Sequence, residues 1–161
     1  MAKGDIIVEM ADMKVGKGSG RIVTYALGSC IGMAIYDPSV KVGGILHYML
    51  PDASLNLEKA KENPCMFGNT GIPKLFKAAY QLGAKKPRIQ VKIAGGADVL
   101  GSRGAFNIGK RNYMMARKML WKNGVLITAE DVGGTVSRTM ILDLGTGDVL
   151  IKCPGREPCR L

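Results

Sequence analysis

The chain is poor in several groups on which protein chemistry commonly relies. Among 161 residues there is one histidine and one tryptophan, and aromatic residues make up only 6%. Imidazole chemistry must therefore run through His47, and a multi-histidine metal site is excluded. Four cysteines are present, Cys30, Cys65, Cys153 and Cys159, but no two stand at the C-x₂₋₄-C spacing of zinc sites. No metal and no organic cofactor are expected. No apolar run approaches the ~20 residues that span a bilayer, so direct membrane insertion is not expected. The opening "MAKGDIIVEM" lacks the pattern of a signal peptide, which implies a cytoplasmic protein with reduced thiols. The glycine-rich "AGGADVLGSRGAFNIG" carries neither G-x-x-x-x-G-K-[ST] nor G-x-G-x-x-G, so it is not read as a nucleotide loop. Acidic residues are also scarce, 13 against 23 basic ones, for a net charge of +10. Such a surface attracts acidic partners. The longest basic cluster, "IGKRNYMMARK", is broken by apolar residues and reads as one polar helix face. No helix-turn-helix or aromatic-interleaved basic motif supports nucleic-acid binding.

What is present fits one domain over residues 1–161, with 47% hydrophobic residues to fill a core and residues 153–161 as a flexible tail. β-branched runs predict strands in "DIIVEMADMKV", "RIVTYAL", "CIGMAIYD", "VGGILHYML", "RIQVKIAG", "VLITAED", "TVSRTMILDL" and "DVLIKC". The stripe Ile72, Leu75, Phe76, Ala79 and Tyr80 predicts a helix stopped by Gly83, and a second helix is predicted over 108–122, closed by Asn123-Gly124. Eight strands and two helices make an α/β or α+β fold, with layered and mostly antiparallel sheets flanked by helices.

The stretch "VTYALGSCIG" poses the functional question. Cys30 is either a small buried hydrophobe or a nucleophile, and the residues alone leave both readings open. The "DPSVK" turn predicts a hairpin. A four-residue loop Asp37–Val40 would set Tyr36 opposite Lys41 and thereby Cys30 opposite His47 on one sheet face. An imidazole there could take the thiol proton and return it to a leaving amine. Thr24 is a candidate to orient the imidazole, Gly28 to turn the chain sharply before the cysteine, and backbone N–H groups there to form an oxyanion hole. Arg103, Lys110, Arg111 and Arg138 are read as solvated surface charges, and Cys65 as a thiol packed near the start of the first helix.

The run "TYALGSCIGMAIYDPSVKVGGILHYMLP", followed in order by "KIAGGADVLGSRGAFNIGKRN" and "AEDVGGTVSRTMILDLGTGDVLIK", resembles the CheD family of chemoreceptor glutamine deamidases. The similarity runs from about Asp5 to Lys152, and the cysteines of the tail match none of the family's motifs. Carried over position by position, the resemblance implies Cys30 as nucleophile, His47 as general base and Thr24 as the residue orienting it. It implies a fold similar to the catalytic domain of cytotoxic necrotizing factor toxins, and hydrolysis of glutamine side chains in the cytoplasmic domains of chemoreceptors through a Cys30 thioester. It also implies a partner, the CheC phosphatase. The competing reading is a non-catalytic regulatory module that acts mainly by binding CheC.

Overall fold

A computed structural model describes residues 4–99 and 107–161. Within them lie ten strands in two five-stranded sheets and three α-helices. The strands are β1 (Ile6–Val8), β2 (Asp12–Lys17), β3 (Arg21–Leu27), β4 (Ile31–Asp37), β5 (Val42–Tyr48), β6 (Gln90–Gly95), β7 (Ala129–Val132), β8 (Arg138–Asp143), β9 (Val149–Lys152) and β10 (Cys159–Arg160). The helices are α1 (Leu57–Glu62), α2 (Gly68–Gln81) and α3 (Ile108–Lys122). The first sheet runs β1-β3-β8-β9-β10 and the second β2-β5-β4-β6-β7. Only β1–β3 and β6–β7 pair in parallel; the other pairings are antiparallel.

Two cores follow from the alternation of side chains along β4 and β5. Ile31, Met33 and Ile35 of β4 and Val42, Leu46 and Tyr48 of β5 face α2 and α3, meeting Ile72, Leu75, Ala116 and Leu120. The intervening Ala34, Tyr36 and Ile45 face the first sheet and pack on Ile22, Met140, Leu142 and Ile151. Every residue of β4 and β5 is therefore buried, because both faces of these central strands are covered. That cover accounts for their near-continuous apolar sequence. The architecture is the expected layered α+β arrangement: sheet, sheet, helices. Among the described residues no helix is long and apolar enough to cross a membrane.

The second helix has the expected limits, with the Asn107 side chain accepting from the Lys110 N–H at 3.2 Å at its start. The helix at Ile72 begins earlier than its stripe, at Gly68. Three expectations change, two of strands and one of the tail. "DIIVEMADMKV" is not one strand: a turn at Met10–Ala11, with Ala11 at φ 56°, sends β1 to one sheet and β2 to the other. "VLITAED" is a strand only from Ala129, and it pairs in parallel with β6 because α3 carries the chain back across the sheet. The 153–161 segment, expected as a tail, carries β10, which pairs antiparallel with β9.

Candidate functional site

The hairpin of β4 and β5 turns through Pro38–Lys41, so that Asp37 pairs with Val42 and Gly32 with His47. The expected loop at Asp37–Val40 is displaced by one residue because Asp37 ends β4 as a fully buried carboxylate. It accepts the Ser39 and Lys85 N–H groups, each at 2.9 Å, and pairs with Arg88. The resulting register is two residues from the expected one. An even shift keeps every side chain on its face, so Cys30 lies diagonally from His47 on the inner face rather than directly opposite it.

Thr24 comes from the other sheet. It sits on β3 opposite Met140, just before a bulge where the register against β8 shifts between Thr24 and Leu27. Ala26 adopts φ 58° within the bulge. The left-handed residue near the thiol is thus Ala26, whereas the expected hinge was Gly28. The extra residue returns Leu27 to the inner face, where it packs against Gly32.

Between the sheets the Thr24 hydroxyl stands 2.8 Å from His47 Nδ1 and donates to the Val8 carbonyl at 2.8 Å. A hydroxyl has one proton, and here Val8 receives it. Thr24 Oγ1 must then accept from Nδ1–H, which leaves the Nε2 lone pair unprotonated. That Nε2 is buried and has no hydrogen-bond partner among the described residues. An orphaned buried nitrogen costs about 1–3 kcal/mol, so the position calls for an explanation other than stability.

Burial holds both reactive groups neutral. It lowers the pKa of His47 to about 4, against a smaller opposing effect of the Asp12 charge. It raises the Cys30 thiol above its ordinary value, opposed by the thiol's own backbone N–H. Cys30 keeps 9% of its surface exposed while His47 and Thr24 keep none, so a reactant reaching this place meets sulfur first. A neutral imidazole with a free Nε2 and a neutral thiol on the same inner face make a pair in which one can accept the other's proton once attack draws them together.

The burial of His47 has a consequence for stability. Its unfolded form binds a proton near pH 6.5, whereas the folded form resists until about 4. Stability present above the unfolded value is lost as pH falls through this window, by about 3 kcal/mol from this group. Urea unfolding of wild type and His47→Gln at about pH 7 and about pH 4 checks it: the variant should lose less on acidification by that amount. Equal losses would mean that the imidazole is not held neutral by burial.

Of the other residues singled out, Lys110, Arg111 and Cys65 are placed as expected and Arg138 is not. Lys110 and Arg111 are exposed on α3, and Arg103 lies outside the described residues. Arg138 is no surface charge: it is buried, donates to the Gly95 carbonyl at 3.3 Å and pairs with Asp131 at 3.5 Å. Asp131 also binds Arg156. Cys65 packs into the helix-side core in the turn Pro64–Met66 before α2, as expected. Asn112, on the inner face of α3, drew no attention from the sequence, yet it is fully buried and bonded to the segments that carry Cys30 and His47. Its signal was an amide at 112 in line with Gly109, Ala116 and Leu120 on a buried stripe.

Fold and site together define a layered α+β protein that assembles thiol, imidazole and hydroxyl from two sheets into one interlayer space. Residues 49–153 match the family described as CheD chemotactic sensory transduction. The chain is 58% identical over 153 residues to the probable chemoreceptor glutamine deamidase CheD 1 of Syntrophus aciditrophicus, covering 94% of this chain and 96% of that one. It is 48% identical over 153 residues to the probable chemoreceptor glutamine deamidase CheD of Solibacter usitatus, covering 94% and 90%. It is 42% identical over 150 residues to the same-named protein of Pyrococcus abyssi, covering 92% and 91%. The chain belongs to the CheD family.

Proposed function

We propose that this protein is a cytoplasmic chemoreceptor glutamine deamidase in which Cys30 is the nucleophile, His47 the general base and acid, and Thr24 the residue that fixes the imidazole. The observation that carries this reading is the Thr24–His47 bond, which leaves Nε2 unprotonated on the face that bears Cys30. The names of relatives up to 58% identical support the substrate class.

In the first half of the reaction, His47 Nε2 takes the thiol proton as sulfur attacks the glutamine amide carbon, giving a tetrahedral oxyanion. Collapse breaks the carbon–nitrogen bond; the imidazolium gives its proton to the departing nitrogen, and ammonia leaves a thioester on Cys30. In the second half, His47 deprotonates a water that attacks the thioester carbon. Breaking the carbon–sulfur bond releases glutamate and returns the thiol. One water enters, one ammonia leaves, and neither metal nor redox cofactor takes part. Family membership also supports CheC as a partner. The presence of all three residues favours catalysis over a module that works by binding alone.

The test is mass spectrometry of a chemoreceptor cytoplasmic fragment incubated with wild type and with Cys30→Ala. Wild type should convert particular glutamines to glutamate and the variant none. Conversion that persists in Cys30→Ala would remove sulfur from the mechanism. A wild-type protein inert toward several receptor fragments would overturn the deamidase reading.

A further inference from the structure

Cys30 lies just past the end of the ladder that should hold it. The last β4–β5 pair is Ile31 with Tyr48, so neither Cys30 nor Met49 is fixed by strand pairing between these two strands. Beyond that point, among the described residues, the Asn112 side chain spans the gap. Asn112 Nδ2 donates to the Ser29 carbonyl at 3.0 Å and to the Met49 carbonyl at 2.9 Å. Its backbone carbonyl accepts the Tyr48 hydroxyl at 2.5 Å. From the other side the Gly96 N–H holds the Cys30 carbonyl and the Ala97 N–H the Gly28 carbonyl, each at 2.9 Å. The carbonyls of residues 28, 29 and 30 are thus all held, and among the described residues only that of Ser29 is held by a side chain.

Given the roles of Cys30 and His47 proposed above, we propose that Asn112 is a positioning residue: its amide ties the segment bearing the nucleophile to the strand bearing the base, where strand pairing no longer does so.

Stability alone is a poor reason for this residue. Asparagine is a mediocre helix former, and it stands inside α3 on a stripe otherwise made of Gly109, Ala116 and Leu120. Its Oδ1 is buried without a partner among the described residues, which a leucine or methionine would avoid. Both contacts are carbonyls, so the amide must present its NH₂ to them and no flipped orientation serves. Its two hydrogen bonds reach within one residue of Cys30 and two of His47. Displacement of reacting groups by about 1 Å can cost on the order of a hundredfold in rate.

The experiment follows Cys30 itself, on the intact protein and without any glutamine substrate. Alkylation of Cys30 by iodoacetamide is measured against pH by mass spectrometry of the peptide that contains it, in wild type, His47→Ala, Asn112→Ala and Asn112→Ser. Wild type should show a limb that appears once His47 is deprotonated and the imidazole can take the thiol proton; His47→Ala should keep only the thiolate rise at high pH. Asn112→Ala should move the profile toward that of His47→Ala, with alkylation near neutral pH at least about tenfold slower, and Asn112→Ser, with one donor left, should fall between. On the receptor fragment kcat should drop about tenfold to a hundredfold with KM within about twofold.

A profile superimposable on wild type in a variant that merely melts earlier would make Asn112 a structural tether and overturn the proposal. So would failure of both variants to fold, or a wild-type profile without a His47-dependent limb. If the profile shifts while wild type deamidates nothing, the positioning role stands and the substrate class falls. If deamidation is found and the profile does not shift, the positioning role falls alone.

Discussion

His47→Ala is expected to slow glutamine conversion by about 10²–10⁴-fold, the range that a positioned general base supplies, while the protein stays folded near neutral pH. Thr24→Val is expected to cost less, about tenfold to a hundredfold, and by a different route. Valine keeps the volume of threonine but cannot accept from Nδ1–H. With Thr24 Oγ1 gone, nothing selects the tautomer that leaves Nε2 unprotonated, and part of the population carries its proton where the thiol needs a lone pair. The Val8 carbonyl loses its donor as well, so some stability should go with the activity. Initial rates on a receptor fragment, with a pH–rate profile for each variant, check the ordering. Near-wild-type turnover in His47→Ala would assign the proton transfers to another group.

Gly95→Ala is expected to damage the fold by about 4 kcal/mol, more than most single substitutions. Gly95 has φ +108°, and a Cβ there would lie 2.1 Å from the Cys30 carbonyl oxygen. That oxygen is fixed by the Gly96 N–H, and the Gly95 carbonyl is itself held by the Gly133 N–H and by Arg138. Nothing at this point can yield cheaply. Gly124 provides the control: its φ is +68°, but a Cβ there would meet nothing within 4 Å. Gly124→Ala should therefore cost about 1 kcal/mol from conformation alone. Urea unfolding of both variants separates crowding from backbone preference, and equal costs would mean that the backbone around Cys30 gives way more easily than its bonding implies.

Much of this architecture was legible because local chemistry decides it. Asn123 and Gly124 close α3, and the Asp37–Lys41 segment makes a hairpin. The pairing of Cys30 with His47 was legible to the correct face and missed by two residues. The deciding fact was a distant one: Asp37 extends β4 because Lys85 and Arg88 come from elsewhere to satisfy its carboxylate. The break at Met10–Ala11 carries no glycine or proline to announce it. Arg138 looks like any basic residue until Gly95 and Asp131 are seen beside it. Asn112 is of the same kind: an amide on a helix has no distinctive spacing, and its meaning lies in two carbonyls, one 83 residues and the other 63 residues away.

The trio draws Thr24 from one sheet and His47 and Cys30 from the other, and β3, which carries Thr24, finds its antiparallel neighbour only at Arg138–Asp143. Sheet closure therefore waits on the last quarter of the chain. A nascent or half-folded molecule with its hairpins formed but its layers apart has a thiol and an imidazole, yet no hydroxyl to set the proton and no dry interlayer to hold it. Given the roles proposed for the three residues, catalytic competence arrives together with completed folding, and a truncated or misassembled copy lacks the arrangement that would act on glutamine.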